Sequence, residues 1–407
     1  MPIYGGDRGC LPEAVILLSD LGKRHASVQI GTFHQSFSPI FLNQNRSHLP
    51  KGNRYRRQKR KMLLLRKCKT RMKKRGRIRH SGGIVGSLTL NQHSRKSVLE
   101  KSRRAVSIVL PNEMDFEDNY EVTCSNLRLL RDAVTKRIRI RRLDFSGLKA
   151  ISTSAALALA SEIDQWNQRC PRKLKAAVDT WHPDVKKLLM EMGFFELLEI
   201  KKPSGPPIET NTIFLRFRRG ESGPGKDGGA IAVGLRSDIE EVVGRPIKKP
   251  LLFGGISEAI TNVGHHAYDP DDAYIKKQWW VSASYNKTTR ELNVTFYDHG
   301  RGIPVTLPTW KHFKLIRDLF PGMTHSEKIA SAVVLGKSAT GDEERGQGLQ
   351  NLLEFSRAYE NGMLTIYSLK GEYQSVHAFE QDVEGKFEDR QNSIGGTLIE
   401  WSVSIQQ

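Results

Sequence analysis

Glu258 and Asn262 stand four residues apart in the segment Glu258-Ala-Ile-Thr-Asn262-Val-Gly-His-His266-Ala-Tyr268. That spacing places both side chains on one face of a helix. A carboxylate beside a carboxamide can address a nucleophile and a hydrated Mg²⁺ together, because Mg²⁺ favours sparse oxygen ligation completed by water and phosphate. The plainer reading of the pair is a solvated polar face. Farther on, Asp298-His-Gly300-Arg-Gly302-Ile303-Pro304 sets a carboxylate before two glycines, a pattern that an ordinary turn also shows. A third segment, Glu344-Arg345-Gly346-Gln-Gly348-Leu349, is a glycine-rich loop with one guanidinium. Where such a loop feeds a helix, free N–H groups and the positive dipole end face phosphate oxygens, and an arginine can fork onto the same group. A flexible loop capping a core helix fits these residues too.

The elements that must hold these residues are legible from periodicity. Ile256, Ala259, Ile260 and Val263 recur at helical spacing around Glu258. Glu291–Tyr297 alternates like a strand and delivers Asp298 at its end. Leu349, Leu352, Leu353 and Phe355 form a helix-like run behind Gly348, and Gly395–Trp401 reads as a closing strand.

In order and in residue type, the three segments resemble the N, G1 and G2 boxes of the GHKL superfamily, which includes gyrase, heat-shock chaperones, histidine kinases and MutL. The resemblance implies a two-layer α/β sandwich, with helices over one face of a mixed sheet and Mg-ATP held between helices and a lid. It implies that Asn262 coordinates Mg²⁺ and that Glu258 positions or deprotonates the attacking group. Asp298 would accept the adenine amino group, Gly302 would let the backbone approach the base, and Thr397 would stand beside it. Gly300, Ile303 and His266 belong to the same matched boxes, and Arg345, Gly346, Gly348 and Leu349 would hold phosphates. His266, four residues after Asn262, and the run Glu-Arg-Gly-x-Gly-Leu are similar to the anti-sigma-factor serine kinase branch. No phospho-acceptor histidine helix precedes residue 250. The sequence departs from the pattern in its doubled His265-His266 and in the long stretch from Val305 to Glu343, expected as a lid, where Lys337, Ser338 and Thr340 are either phosphate contacts or solvated loop.

Upstream, Ile138–Asp144 alternates into an aspartate and runs on to an Ala-rich helix over 155–166, and Pro183 to Gly193 reads as a helix started by proline and stopped by glycine. This stretch resembles a STAS domain, the fold of anti-sigma-factor antagonists, whose partner kinase phosphorylates a serine in an Asp-Ser-Ser-Gly turn. The matching turn here is Ser152-Thr153-Ser154-Ala155, which lacks both the aspartate and the glycine. Ser154 and Thr153 are candidate acceptors, and the same residues serve equally well as a helix N-cap.

Charge separates the chain into unlike parts. Of 64 Lys and Arg and 44 Asp and Glu, residues 1–105 hold 25 and 4, so the remainder carries 39 against 40. Within the arm, 51–79 contains sixteen basic residues and no acid. Such a block cannot bury itself and is expected to be disordered. It would bind nucleic acid through counterion release, or it is a solubilising tail or a misassigned start. Cys10, Cys68, Cys124 and Cys170 show no Cys-x-x-Cys spacing, which argues against a zinc site or a disulfide framework. No apolar run approaches the roughly 20 residues of a membrane helix, and a cytoplasmic location is expected.

The layout expected is α/β: a basic arm over 1–104, a STAS-like domain over 105–202, a Pro- and Gly-punctuated linker over 203–227 and a GHKL domain over 228–405, with a further strand foreseen at Thr212–Phe217. The expected function is an ATP-binding signalling switch, a Mg-dependent ATPase or a serine/threonine kinase, acting with a STAS-like or regulatory protein partner or as a pair of copies. A DNA-associated ATPase using the arm and a non-hydrolysing nucleotide-gated scaffold are the alternatives.

Overall fold

The computed structural model describes residues 106–136, 138–170, 173–201, 210–223, 226–247, 249–269, 277–307, 322–338, 348–378 and 381–405. The basic arm, Arg345, Gly346 and Thr340 lie outside them.

The first part of the chain alternates strand and helix. Strands β1 (Val106–Val109), β2 (Glu113–Met114), β3 (Ile140–Asp144) and β4 (Ala150–Ile151) form two parallel pairs, β1 with β3 and β2 with β4. Helix α1 (Tyr120–Thr135) lies between β2 and β3, and α2 (Thr153–Arg169) follows β4. The N-cap of α2 is Ser152, whose Oγ accepts the Ala155 N–H. Every residue of α2 from Ser154 to Trp166 is buried. A helix buried all round is a central core element, and its alanines let neighbours approach closely. Helix α3 (Pro183–Met192) begins on its proline and ends at Gly193, left-handed at φ 100°, as its sequence punctuation predicts. A single turn, α4 (Phe194–Leu197), follows.

The second part is built on one large sheet. Its strands are β5 (Thr212–Phe214), β6 (Arg218–Glu221), β7 (Gln278–Asn286), β8 (Glu291–Asp298), β9 (Gly362–Ser368), β10 (Gly371–Ala378), β11 (Gln381–Asp389) and β12 (Thr397–Ser404). The order is β11-β10-β9-β12-β8-β7-β5, with β6 also paired to β7. All of these pairs are antiparallel, so the sheet is not the mixed one expected. The reason lies in the connections: β7–β8 and β9–β10–β11 are consecutive hairpins, and β12 inserts between β8 and β9 antiparallel to both. The foreseen strand at 212–217 is present as Thr212–Phe214, hydrogen-bonded to β7, so described residues of the punctuated stretch belong to the sheet.

Alternation along the strands gives the sheet two unlike faces. On one, Trp279, Val281, Leu292, Val294, Phe296, Leu364, Ile366, Ile399 and Trp401 form an apolar core. Over that core lie α5 (Gly228–Val243), α6 (Lys249–Asn262), α8 (His325–Ser338) and α9 (Gly348–Arg357), with the turn α7 (Ile303–Thr306) at its edge. Helix α8 packs Ile329, Ala332 and Val333 into this core. Within the long stretch expected as a lid, His325–Ser338 thus forms a helix that packs on the sheet.

On the other face, Trp280, Tyr297, Tyr367 and Leu398 join the core of the first part. Thr295, Ser282, Ser284 and Thr365 are buried there as well. Helix α2 lies against β7 and β8. A third layer thus covers the face that a two-layer sandwich would leave free.

Candidate functional site

Helix α6 carries Glu258 and Asn262, and the chain then passes into a π turn, Val263–Ala267. Such a turn inserts one residue into the helical ladder and rotates the residues beyond it. His265 and His266 stay exposed while Ala267 turns inward. The Ala267 carbonyl accepts the Arg301 N–H at 2.6 Å, which ties the turn to the loop after β8. A Cβ on Gly300 would fall 2.5 Å from the Ala267 Cβ, so only glycine permits this approach. Asn262 donates to the Glu258 carboxylate, and burial raises that carboxyl above its usual range despite the bond.

Asp298 ends β8, 5% exposed. Its Oδ1 accepts the Gly300 N–H at 2.6 Å. Burial pushes the carboxyl up to about 7, against the N–H groups of Gly300 and Thr397 that favour its ionised form. On β12, Thr397 stands opposite Asp298 and, on the other side, opposite Ser368 of β9. The Ser368 and Thr397 hydroxyls are 2.9 Å apart, and Ser368 Oγ also accepts the Ile303 N–H. Gly302 has φ 80°, and a Cβ there would meet Leu369 at 2.7 Å.

These residues converge. Asn262, His266, Asp298, Gly302, Ile303 and Thr397 line one cleft, whose apolar walls include Ala259, Phe296, Leu352 and Ile399. An apolar slot with a single buried carboxylate suits a flat ring that carries a hydrogen-bond donor. The free volume is about 40 Å³, small beside the roughly 300–1,000 Å³ of ligand pockets. Among the described residues no group of three or more His, Cys, Asp or Glu side chains converges on a metal position.

Glu258 sits one turn back along α6 from Asn262. Gly300 contributes spacing at Ala267 rather than lining the cleft. Gly348 opens α9 and Leu349 follows it. Ser154 and Thr153 lie across the sheet. Ser154 is 2% exposed and donates to Glu400 of β12, whose neighbour Ile399 lines the cleft on the opposite face. Thr153 donates to Ser284 on β7. The sheet stands between this turn and the cleft. Ser368 escapes sequence reasoning because nothing local marks it; only its register with Thr397 does.

Behind the same loop, His299 Nε2 and Ser161 Oγ share a hydrogen bond of 2.9 Å. Burial holds the imidazole well below its usual range, with Arg131 and Arg169 adding to the effect. Asp164 accepts from Trp280 Nε1 at 3.0 Å and from Arg219 at 2.9 Å. Arg131 pairs with buried Glu162 and donates to Tyr297 Oη and the Ile394 carbonyl. The first part of the chain thus grips the sheet through polar bonds as well as apolar packing. No protein-family model matches the chain, and no curated protein matches it.

Proposed function

We propose that this chain is an ATP-binding signalling switch of the GHKL type, acting as a Mg-dependent ATPase or serine/threonine kinase. The observation that carries the reading is convergence: Asn262, Asp298, Gly302 and Thr397, distant in sequence and matched to separate motifs, line one cleft. The slot fits an adenine ring in chemical type, with apolar walls and the Asp298 carboxylate to accept the exocyclic amine. Gly302, with no side chain, lets the ring edge approach the backbone. The donor set around Asn262 suits a Mg²⁺ that arrives on phosphates and takes one protein oxygen.

Mg-ATP supplies the transferable phosphoryl group; the chain supplies position and charge. Asn262 orients Glu258 through its hydrogen bond. A carboxylate raised toward neutrality is a better proton acceptor at working pH, which suits Glu258 to relieve an attacking hydroxyl or water of its proton. Arg345, Gly346 and Gly348 would hold phosphate oxygens. With Ser154 buried behind the sheet, the kinase form of the reading looks to an acceptor on a partner or on a second copy.

The test is incubation of the full chain with γ-labelled Mg-ATP, following released phosphate and label on protein, beside Glu258→Gln and Asp298→Asn. Label lost in both variants supports a kinase, and released phosphate alone supports an ATPase. Absence of nucleotide binding by equilibrium titration would remove the reading altogether.

A further inference from the structure

A second cavity, of about 370 Å³, lies between helices α1 and α2 and the loop that follows β8. It is within the size range of small-ligand sites, roughly 300–1,000 Å³. Its charged lining is Arg131, Arg169 and Arg301 against Glu162 and Asp269, with His299 and Tyr268 beside them. The loop Asp298–Gly302 is a wall of both cavities: Asp298 and Gly302 face the first, while His299, Gly300 and Arg301 face the second.

The charges here do not cancel. Glu162 answers Arg131, and Asp269 answers Arg301 at 3.5 Å. His299 is held neutral by burial. Arg169 makes no ion pair among the described residues, which leaves one cation over. Arg131 is fixed in place by Glu162, Tyr297 and Ile394 through Nε and one terminal nitrogen. Its other terminal nitrogen, Nη1, makes no hydrogen bond among the described residues. It lies over Gly395, where a Cβ would come within 1.5 Å, so the glycine is what makes room for it. A prepositioned guanidinium with a spare donor, a second guanidinium with no ion pair among the described residues and a solvent-open cavity that both line describe an anion receptor. Guanidinium groups bind planar or tetrahedral oxyanions through paired N–H donors.

We propose that this cavity binds a compact organic anion, its phosphate or carboxylate held between Arg131 and Arg169. The site is separate from the cleft around Asp298, and it stands whether or not that cleft takes ATP.

The test is calorimetric titration of the full chain with ribose 5-phosphate and with citrate, in buffer matched for ionic strength by chloride. The two probes separate phosphate from carboxylate as the preferred head group. Arg169→Glu and Arg169→Lys are titrated alongside; Arg169 is exposed, so both variants should fold. The expected result is saturable binding of at least one probe, weakened about tenfold or more in Arg169→Glu, the scale of one lost charge-assisted hydrogen bond, and largely retained in Arg169→Lys. Nucleotide binding, measured on the same samples, should be unaffected by either variant. No binding of either probe by the unmodified chain, or equal binding by Arg169→Glu, would overturn the proposal.

Discussion

Asp298 is where the chemistry of the cleft concentrates, because its carboxyl is buried and titrates near 7. On the proposed ATP reading, the ionised carboxyl is the stronger acceptor for the adenine amine, so the ionised form binds the more tightly. Near pH 6 about a tenth of the free protein is ionised at this group, and near pH 8 almost all of it is. Apparent affinity scales with the competent fraction. ATP affinity should therefore fall about tenfold from pH 8 to pH 6, read by equilibrium titration, and Asp298→Asn should remove that dependence while weakening binding by about tenfold or more. Glu258→Gln should leave nucleotide affinity within about threefold and lower turnover by about a hundredfold or more, the scale of lost general-base catalysis. Asn262, Asp298, Gly302 and Thr397 are legible in sequence because they fall in short matched motifs. Ser368 and His299 are not, because one enters by cross-strand register and the other by contact with α2, and neither relation leaves a local mark.

At the scale of elements, end signals are read well and pairings poorly. Ser152 before α2, Pro183 and Gly193 around α3, and the alternation of β8 each follow from chemistry within a few residues. Replacing Ser152 with alanine removes the acceptor for the Ala155 N–H, and should cost about 1 kcal/mol of stability, measured by denaturant unfolding. The π turn after Asn262 is not legible, since the apolar period continues through Val263 and nothing there announces an added residue. The antiparallel order of the sheet is also out of reach. Strand pairing is decided by long-range register, and β12 joins β8 to β9 across a long separation in the chain. Helix α8 hides inside a stretch that reads as a lid because its apolar face is modest and its flanks are polar.

For the whole molecule, composition reads the neutral character of 106–405 correctly but says nothing of how the two parts share the sheet. They share it intimately, through the joint core at Trp280, Tyr297, Tyr367 and Leu398. Thermal unfolding of the full chain should show one cooperative transition for this body. A fragment limited to 228–405 loses β5, β6 and the covering helices; it should show no cooperative transition and should bind a hydrophobic dye.

Glu400, in the same shared layer, is raised by burial to about 7 from a usual 4.5, opposed by its bond from Ser154. The unfolded chain gives up this proton first, so between pH 4.5 and 7 each step upward favours unfolding. Glu400→Gln should therefore raise the melting temperature at about pH 8, with the gain vanishing by about pH 4.

The two faces of the sheet also impose two separate selective regimes on one stretch of polypeptide. Along β12, Ile399, Trp401 and Val403 answer to packing volume beneath the helices, while Leu398 and Glu400 answer to the chemistry of the segment encoded upstream. Among descendants of this gene, neighbouring codons in these strands should diverge at alternating rates. Changes at the back-face codons should be accompanied by compensating changes in α1 and α2, so that the two halves are inherited as one unit.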